Sequence, residues 1–110
     1  MKLVVYERAL EMIAEIRPLI ETIKQHDRDL ANQLRRSASS VALNISEGTH
    51  SRGGNKRIRF ENAAGSAAET RAALQVATAW GYIPSNSQHS VDQLLDQILA
   101  MLFRLTHPPG

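Results

Sequence analysis

The chain has 110 residues, 43% of them hydrophobic and 22% charged, with a formal net charge of +2. That size suits one domain with its own core, and that balance is ordinary for a globular protein, which excludes a disordered or fibrous chain. With no cysteine, disulfides, thiolate metal sites and cysteine nucleophiles are excluded together, and a reducing compartment is the natural setting. The first apolar stretch is interrupted by Glu7, Arg8, Glu11 and Glu15, so it lacks the apolar centre of a signal peptide. No run approaches the ~18 apolar residues of a membrane span. A cytoplasmic protein without a membrane partner is expected. The charge is unevenly placed: Glu7, Glu11, Glu15 and Glu21 lie near the start, whereas Arg52, Lys56, Arg57 and Arg59 fall in a stretch with no acid before Glu61.

Residues 3–25 carry the first helical pattern. Leu3, Tyr6, Leu10, Ile13, Ile20 and Ile23 recur at helical spacing, and Val5, Ala9, Met12, Ile16 and Leu19 form a second stripe beside them. So wide an apolar face predicts more than one neighbour. Pro18 shares a polar line with Arg8, Glu11, Glu15 and Thr22. Water can take its freed carbonyl there, so a kink is expected and not a break. Gln25 to Arg28 form a polar turn, with Asp27 or Asp29 as the cap of the next helix.

Helix two is expected over 29–47, with Leu30, Leu34, Ala38, Val41 and Ile45 facing the core. Its small residues Ser37, Ser39, Ser40, Ala42 and Ser46 allow close helix approach, and Leu43 points the opposite way. The segment from Gly48 to Asn55 holds three glycines and no large apolar residue. It is the main break in the pattern, with Gly48 placed as a helix cap.

Helix three is expected over 55–80. Residues 63–79 contain eight alanines, the best helix former and small enough for packing on several sides. Gly81 ends it and Pro84 reinforces the stop. Helix four is expected over 86–106, with Val91, Leu94, Leu95, Ile98, Leu102 and Leu105 inward and Leu99 and Phe103 alongside. Strict two-residue alternation is absent, so no sheet is expected. The fold class is all-α: an up-down-up-down antiparallel four-helix bundle over residues 1–106, with a flexible tail at 107–110.

No catalytic constellation emerges. His26, His50, His89 and His107 are scattered and lack a His or Glu partner one turn away, so no metal site is expected. The serines form no strand-to-helix nucleophile elbow. Asp92 and Asp96 lie one turn apart, in the manner of a solvated face. The segment from Gly48 to Lys56 fails as a phosphate-binding loop, because Gly54-Asn55 stand where Lys-Ser/Thr is required. What remains is the basic cluster. Arg52, Lys56, Arg57 and Arg59 sit around a helix N-terminus, whose free N–H groups and dipole favour anions. A second, polar group lines helix two: Gln33, Arg36, Ser37, Ser40, Asn44 and Glu47. Asn44 is expected to bond to another helix, and Arg36 and Glu47 to pair across helices, fixing register.

The blocks Gln33-Leu34-Arg35-Arg36-Ser37-Ala38 and Asn44-Ile45-Ser46-Glu47-Gly48 resemble the QLRRA…NIAEG signature of the four-helix-bundle proteins encoded in 23S rRNA intervening sequences, the S23-like family. The likeness continues through Arg52, Phe60, Ala64-Gly65-Ser66, Glu69 and Gly81-Tyr82-Ile83, over about residues 3–105. Ser46 replaces a usual alanine, and Gly53-Gly54 replace a frequent Ser-Lys. The resemblance implies a left-handed antiparallel bundle and a homopentameric, barrel-like assembly. It also implies kinship with the accessory proteins of diversity-generating retroelements, which bind nucleic acid and a reverse transcriptase through basic surfaces. It implies no catalytic residue and no cofactor. Arg35, Arg36, Asn44, Glu47, Gly48 and Gly65 match the signature, and Arg52 matches its basic loop.

Two functions follow as expectations. The first is a non-enzymatic homo-oligomer that binds RNA or DNA phosphates through Arg52, Lys56, Arg57 and Arg59, together with Arg35. The alternative is a protein-interaction scaffold, in which the apolar faces of helices one and three and Leu43 bury against sister subunits or a partner.

Overall fold

The computed structural model describes residues 3–109. Met1 and Lys2 of the expected domain and Gly110 of the expected tail lie outside the described residues. Within them the chain forms α1 (Val4–Lys24), α2 (Arg28–Thr49), α3 (Gly53–Ala79) and α4 (His89–Thr106), with a 3₁₀ turn at Ser85–Gln88 leading into α4 and no strand. The links at 25–27 and 50–52 are three residues long, and each can span only about 10 Å. The helices, of 18 to 27 residues, are roughly 27–40 Å long, and the molecule measures 45 × 22 × 21 Å. Each helix must therefore double back along its predecessor, and α1 closes the ring against α4. One end carries the 50–52 link with the start of α1 and the end of α4. The other end carries the 25–27 and 80–84 links.

In α1 the core line draws on both apolar stripes, mostly the second. Val5, Ala9, Met12, Ile16 and Ile23 are the buried line. Leu3, Tyr6, Ile13 and Ile20 pack half-buried at the flank, and Leu10 is exposed. Both stripes obey the same period, so only the placement of α2 and α4 decides which faces the centre. Pro18 lies on the exposed side, the helix runs through it to Lys24, and the Thr22 hydroxyl donates to the Pro18 carbonyl.

Asp27 caps α2, its side chain accepting from the Leu30 N–H at 3.0 Å. All five expected core residues of α2, from Leu30 to Ile45, are buried. The helix then runs past Gly48, because local side chains take up its last carbonyls. Thr49 Oγ1 donates to Ile45 and Ser51 Oγ to Glu47, while the His50 ring bonds the Ser46 carbonyl.

Gly48 is therefore not a cap. It is a buried helical glycine against the Phe60 ring, and a Cβ at this position would lie 2.6 Å from Phe60 Cε1. The break between helices shrinks to residues 50–52, and Gly53 to Lys56 already belong to α3. In α3 the buried residues are mostly alanines, with Phe60 and Leu74 as the large exceptions. Its C-terminus is a Schellman motif: the Gly81 N–H donates to Thr78 and the Tyr82 N–H to Ala77, with Gly81 at φ +78°. In α4 the core line ends on Thr106, while Leu105 and Phe103 are exposed. From Leu102 the inward face continues four residues on and not three.

Polar seams join the core layers. Between α2 and α3, Thr70 Oγ1 reaches Ser37 Oγ at 3.0 Å, and the hydroxyls of Ser40 and Ser66 meet at 2.8 Å. Between α3 and α4, Arg71 lies between the two aspartates taken from the sequence as a solvated pair. Its Nη2 donates to Asp96 at 2.6 Å, and its Nε sits 3.4 Å from Asp92 without hydrogen-bond alignment. Thr78 donates to Gln88, which donates to Asp92.

Candidate nucleic-acid interface

The basic cluster is built by the way α3 starts. Arg52 has extended backbone (φ −130°, ψ 151°) and occupies the N-cap position, yet its side chain caps nothing. Gly53 follows at φ +60°, a left-handed conformation that favours glycine. No acid occupies the first turn of α3, so the positive end of the helix is not neutralised from within. Arg52, Lys56, Arg57 and Arg59 are all exposed.

Their pairing divides them. Arg57 Nε lies 3.4 Å from Glu61, one turn on, and Arg59 Nη1 lies 3.1 Å from Glu47 across the α2–α3 seam. Every side chain in these two pairs is about half exposed, where an ion pair contributes about 0–1 kcal/mol and exchanges readily for another anion. Arg52, Lys56 and Arg35 make no ion pair among the described residues.

The five expected cations do not form one patch. Arg52, Lys56 and Arg57 stand at the end of the bundle, in the link and first turns of α3. Arg35 and Arg59 instead both line an open hollow of about 730 Å³ along the outer face of α2. Arg36, Leu43, Asn44 and Glu47 share that hollow. Asn32, Arg36, Ser39, Leu43 and Glu47 recur every three or four residues. That signal is present in the sequence, but the core stripe of the same helix masks it.

The signature residues take distinct positions. Asn44 donates to the backbone and hydroxyl of Ser40 in its own helix, and reaches α3 only through the Ser40–Ser66 contact. The expected partner on another helix is thus a relay. Glu47 does pair across helices, with Arg59 of α3. Arg36 itself makes no ion pair among the described residues. Gly65 is exposed on α3, with open space where a Cβ would stand. The four histidines are exposed at separate places on the surface.

A ring of four antiparallel helices places the chain among small helical-bundle proteins. The chain belongs to the 23S rRNA-intervening sequence protein family, whose model matches residues 1–104. Among solved structures it is similar to a protein with unknown function from the S23 ribosomal protein family of Bacteroides thetaiotaomicron. That likeness has a TM-score of 0.84 at 21% identity and covers 93% of this chain and 97% of the other. It establishes the shared fold. No curated protein matches the sequence.

Proposed function

We propose that this protein is a non-enzymatic, homo-oligomeric RNA-binding bundle that holds phosphates at the N-terminal end of α3. The observation that carries the reading is the acid-free start of α3. There Arg52 and Lys56 stand exposed without ion pairs among the described residues, beside uncapped backbone N–H groups. Arg57 and Arg59 extend the site once phosphate replaces Glu61 and Glu47, and Arg35 continues it along α2. The family's association with 23S rRNA intervening sequences is consistent with RNA as the polyanion. Contacts of this kind give affinity and salt dependence without base selectivity.

The test is binding of a labelled 20-nucleotide single-stranded RNA across a salt series. Two phosphate contacts give a log–log slope of about −1.4 per protomer, and five give about −3.5. Arg52→Ala with Lys56→Ala should flatten the slope by about 1.4 per protomer. A salt-independent affinity, or one unchanged in the double variant, overturns the reading.

A second reading has its own observation. Val4, Leu43, Ile58, Trp80 and Phe103 are each more than half exposed, which supports a protein-interaction scaffold as the alternative. Recovery of a protein partner after nuclease treatment, with no RNA binding by the purified protein, would favour it.

A further inference from the structure

The end of the bundle opposite the basic turn carries three nearly parallel aromatic rings. Tyr82 stacks with His26 of the α1–α2 link at a centroid distance of 5.0 Å and an interplanar angle of 5°. Trp80 lies 6.3 Å from Tyr82 at 16°. The Schellman motif produces this arrangement. Gly81, at φ +78°, turns the chain so that Tyr82 folds back half-buried against the bundle, while Trp80 stays at the helix end. Trp80 is 69% exposed, the highest exposure among the large apolar side chains of the described residues.

An indole held in this way is unusual on a protein surface. Trp is a large apolar group that normally gains by burial. A protein-docking patch would surround it with other apolar side chains. Here Ala79, Gly81, Pro84, Ser85 and Asn86 beside it in the sequence are small or polar and exposed, and Val76, one turn back and 44% exposed, adds a single apolar side chain and not a surrounding patch. What the site offers is a single rigid ring, with aromatic rings nearly parallel to it behind. That geometry suits a flat π-system of similar size, as in aromatic platforms that stack successive bases of a single strand. Lys24 and Arg28 flank His26 in the sequence, are exposed, and make no ion pair among the described residues. Glu21 and Asp29 are exposed at the same end, and Asp27 is engaged as the α2 cap.

We propose that Trp80 is a stacking platform for an unpaired nucleobase, backed by Tyr82 and His26, at the end of the bundle opposite the phosphate-binding turn. The inference rests on the nucleic-acid reading and narrows its ligand to single-stranded or looped RNA. Base stacking does not need net positive charge, so the mixed charge of this end is compatible with it. The bundle is 45 Å long. At 3.4 Å per nucleotide of stacked strand, roughly 13 nucleotides connect the two ends.

Trp80 is the only tryptophan, so its emission reports the site directly. The experiment titrates the full chain with a 20-nucleotide oligouridylate and, separately, with an abasic oligomer of the same length. The expected result is quenching by oligouridylate and none by the abasic strand, although both engage the basic turn. Trp80→Ala should weaken oligouridylate binding by about 5- to 150-fold, the range for loss of one stacked base. Trp80→Tyr, which keeps a flat ring, should recover most of it.

Salt-dependent binding without a change in Trp80 emission overturns the platform and leaves the phosphate site standing. Equal quenching by the abasic strand overturns it as well. Emission that shifts with protein concentration alone overturns it in favour of a second copy covering the ring. If neither oligomer binds, the nucleic-acid reading falls and the platform falls with it.

Discussion

The same substitution at two glycines should have opposite effects on stability. A Cβ on Gly48 would lie 2.6 and 2.7 Å from two atoms of the Phe60 ring. Phe60 is only 2% exposed, so the ring cannot swing into solvent, and Gly48→Ala must push α2 and α3 apart or force the ring off its rotamer. Overpacking of this kind costs about 1–3 kcal/mol, against a helix-propensity gain of about 1 kcal/mol. The net expectation is a loss of up to about 2 kcal/mol, towards the upper end because two ring atoms are violated together. Gly65 also sits inside a helix, but its Cβ would meet nothing within 4 Å. Gly65→Ala should therefore stabilise by about 0.5–1 kcal/mol. For a chain of 110 residues each kcal/mol moves Tm by about 4 °C. Thermal unfolding of both variants is the assay, with Gly48→Ala in a Phe60→Leu background as the coupling control. The smaller side chain should recover part of the Gly48→Ala loss. Gly48→Ala as stable as the parent would refute the close-contact argument. Gly65→Ala less stable than the parent would show that α3 packs there against a second molecule.

Other outcomes follow from the polar seams. Thr70 is completely buried, and its hydroxyl bonds the Ser66 carbonyl and Ser37 Oγ. Thr70→Val keeps the shape and should cost about 1–2 kcal/mol in chemical denaturation, and a variant within 0.3 kcal/mol of the parent would mean that the hydroxyl ladder merely fills space. Glu47→Gln releases Arg59 from its 3.1 Å pair. It should leave stability within about 1 kcal/mol while tightening RNA binding and steepening the salt slope by about 0.7. Unchanged RNA binding in that variant removes Arg59 from the interface.

The bundle was legible because its signals are local. The α2 stripe from Leu30 to Ile45, the Asp27 cap and the Gly81 stop each depend on residues within a turn or two, and each stands as expected. What the sequence hid depends on which elements lie side by side. Two stripes of α1 share one period, so the pattern could not say which of them α2 and α4 would bury. Gly48 precedes a glycine-rich stretch and has the sequence position of a cap. Its tight contact is with Phe60, twelve residues on and across a turn. Asp92 and Asp96 look like a solvated pair until α3 brings Arg71 beside them. The candidate site suffers from the same problem. The basic run is visible as composition, but its division into an end cluster and an α2 hollow is a property of packing.

That division bears on how the proposed RNA site would work. The proposed site on one protomer has five cations in two places, two of them already paired with carboxylates, and full engagement of these five gives a slope of only about −3.5. Single-site affinity of that kind is weak at physiological salt. Ile58 lies between Arg57 and Arg59 in sequence and is 54% exposed, and Val4 and Phe103 are open at the same end of the bundle. Any self-association that covers these apolar side chains also brings the basic turns of several copies close together. One strand could then engage several protomers, so that each further contact becomes intramolecular. The two readings of the surface are therefore coupled through this end of the bundle, and the salt series distinguishes them quantitatively. A slope steeper than about −3.5 exceeds what these five cations can give, and its dependence on protein concentration would then show whether a second copy sits on the same RNA strand.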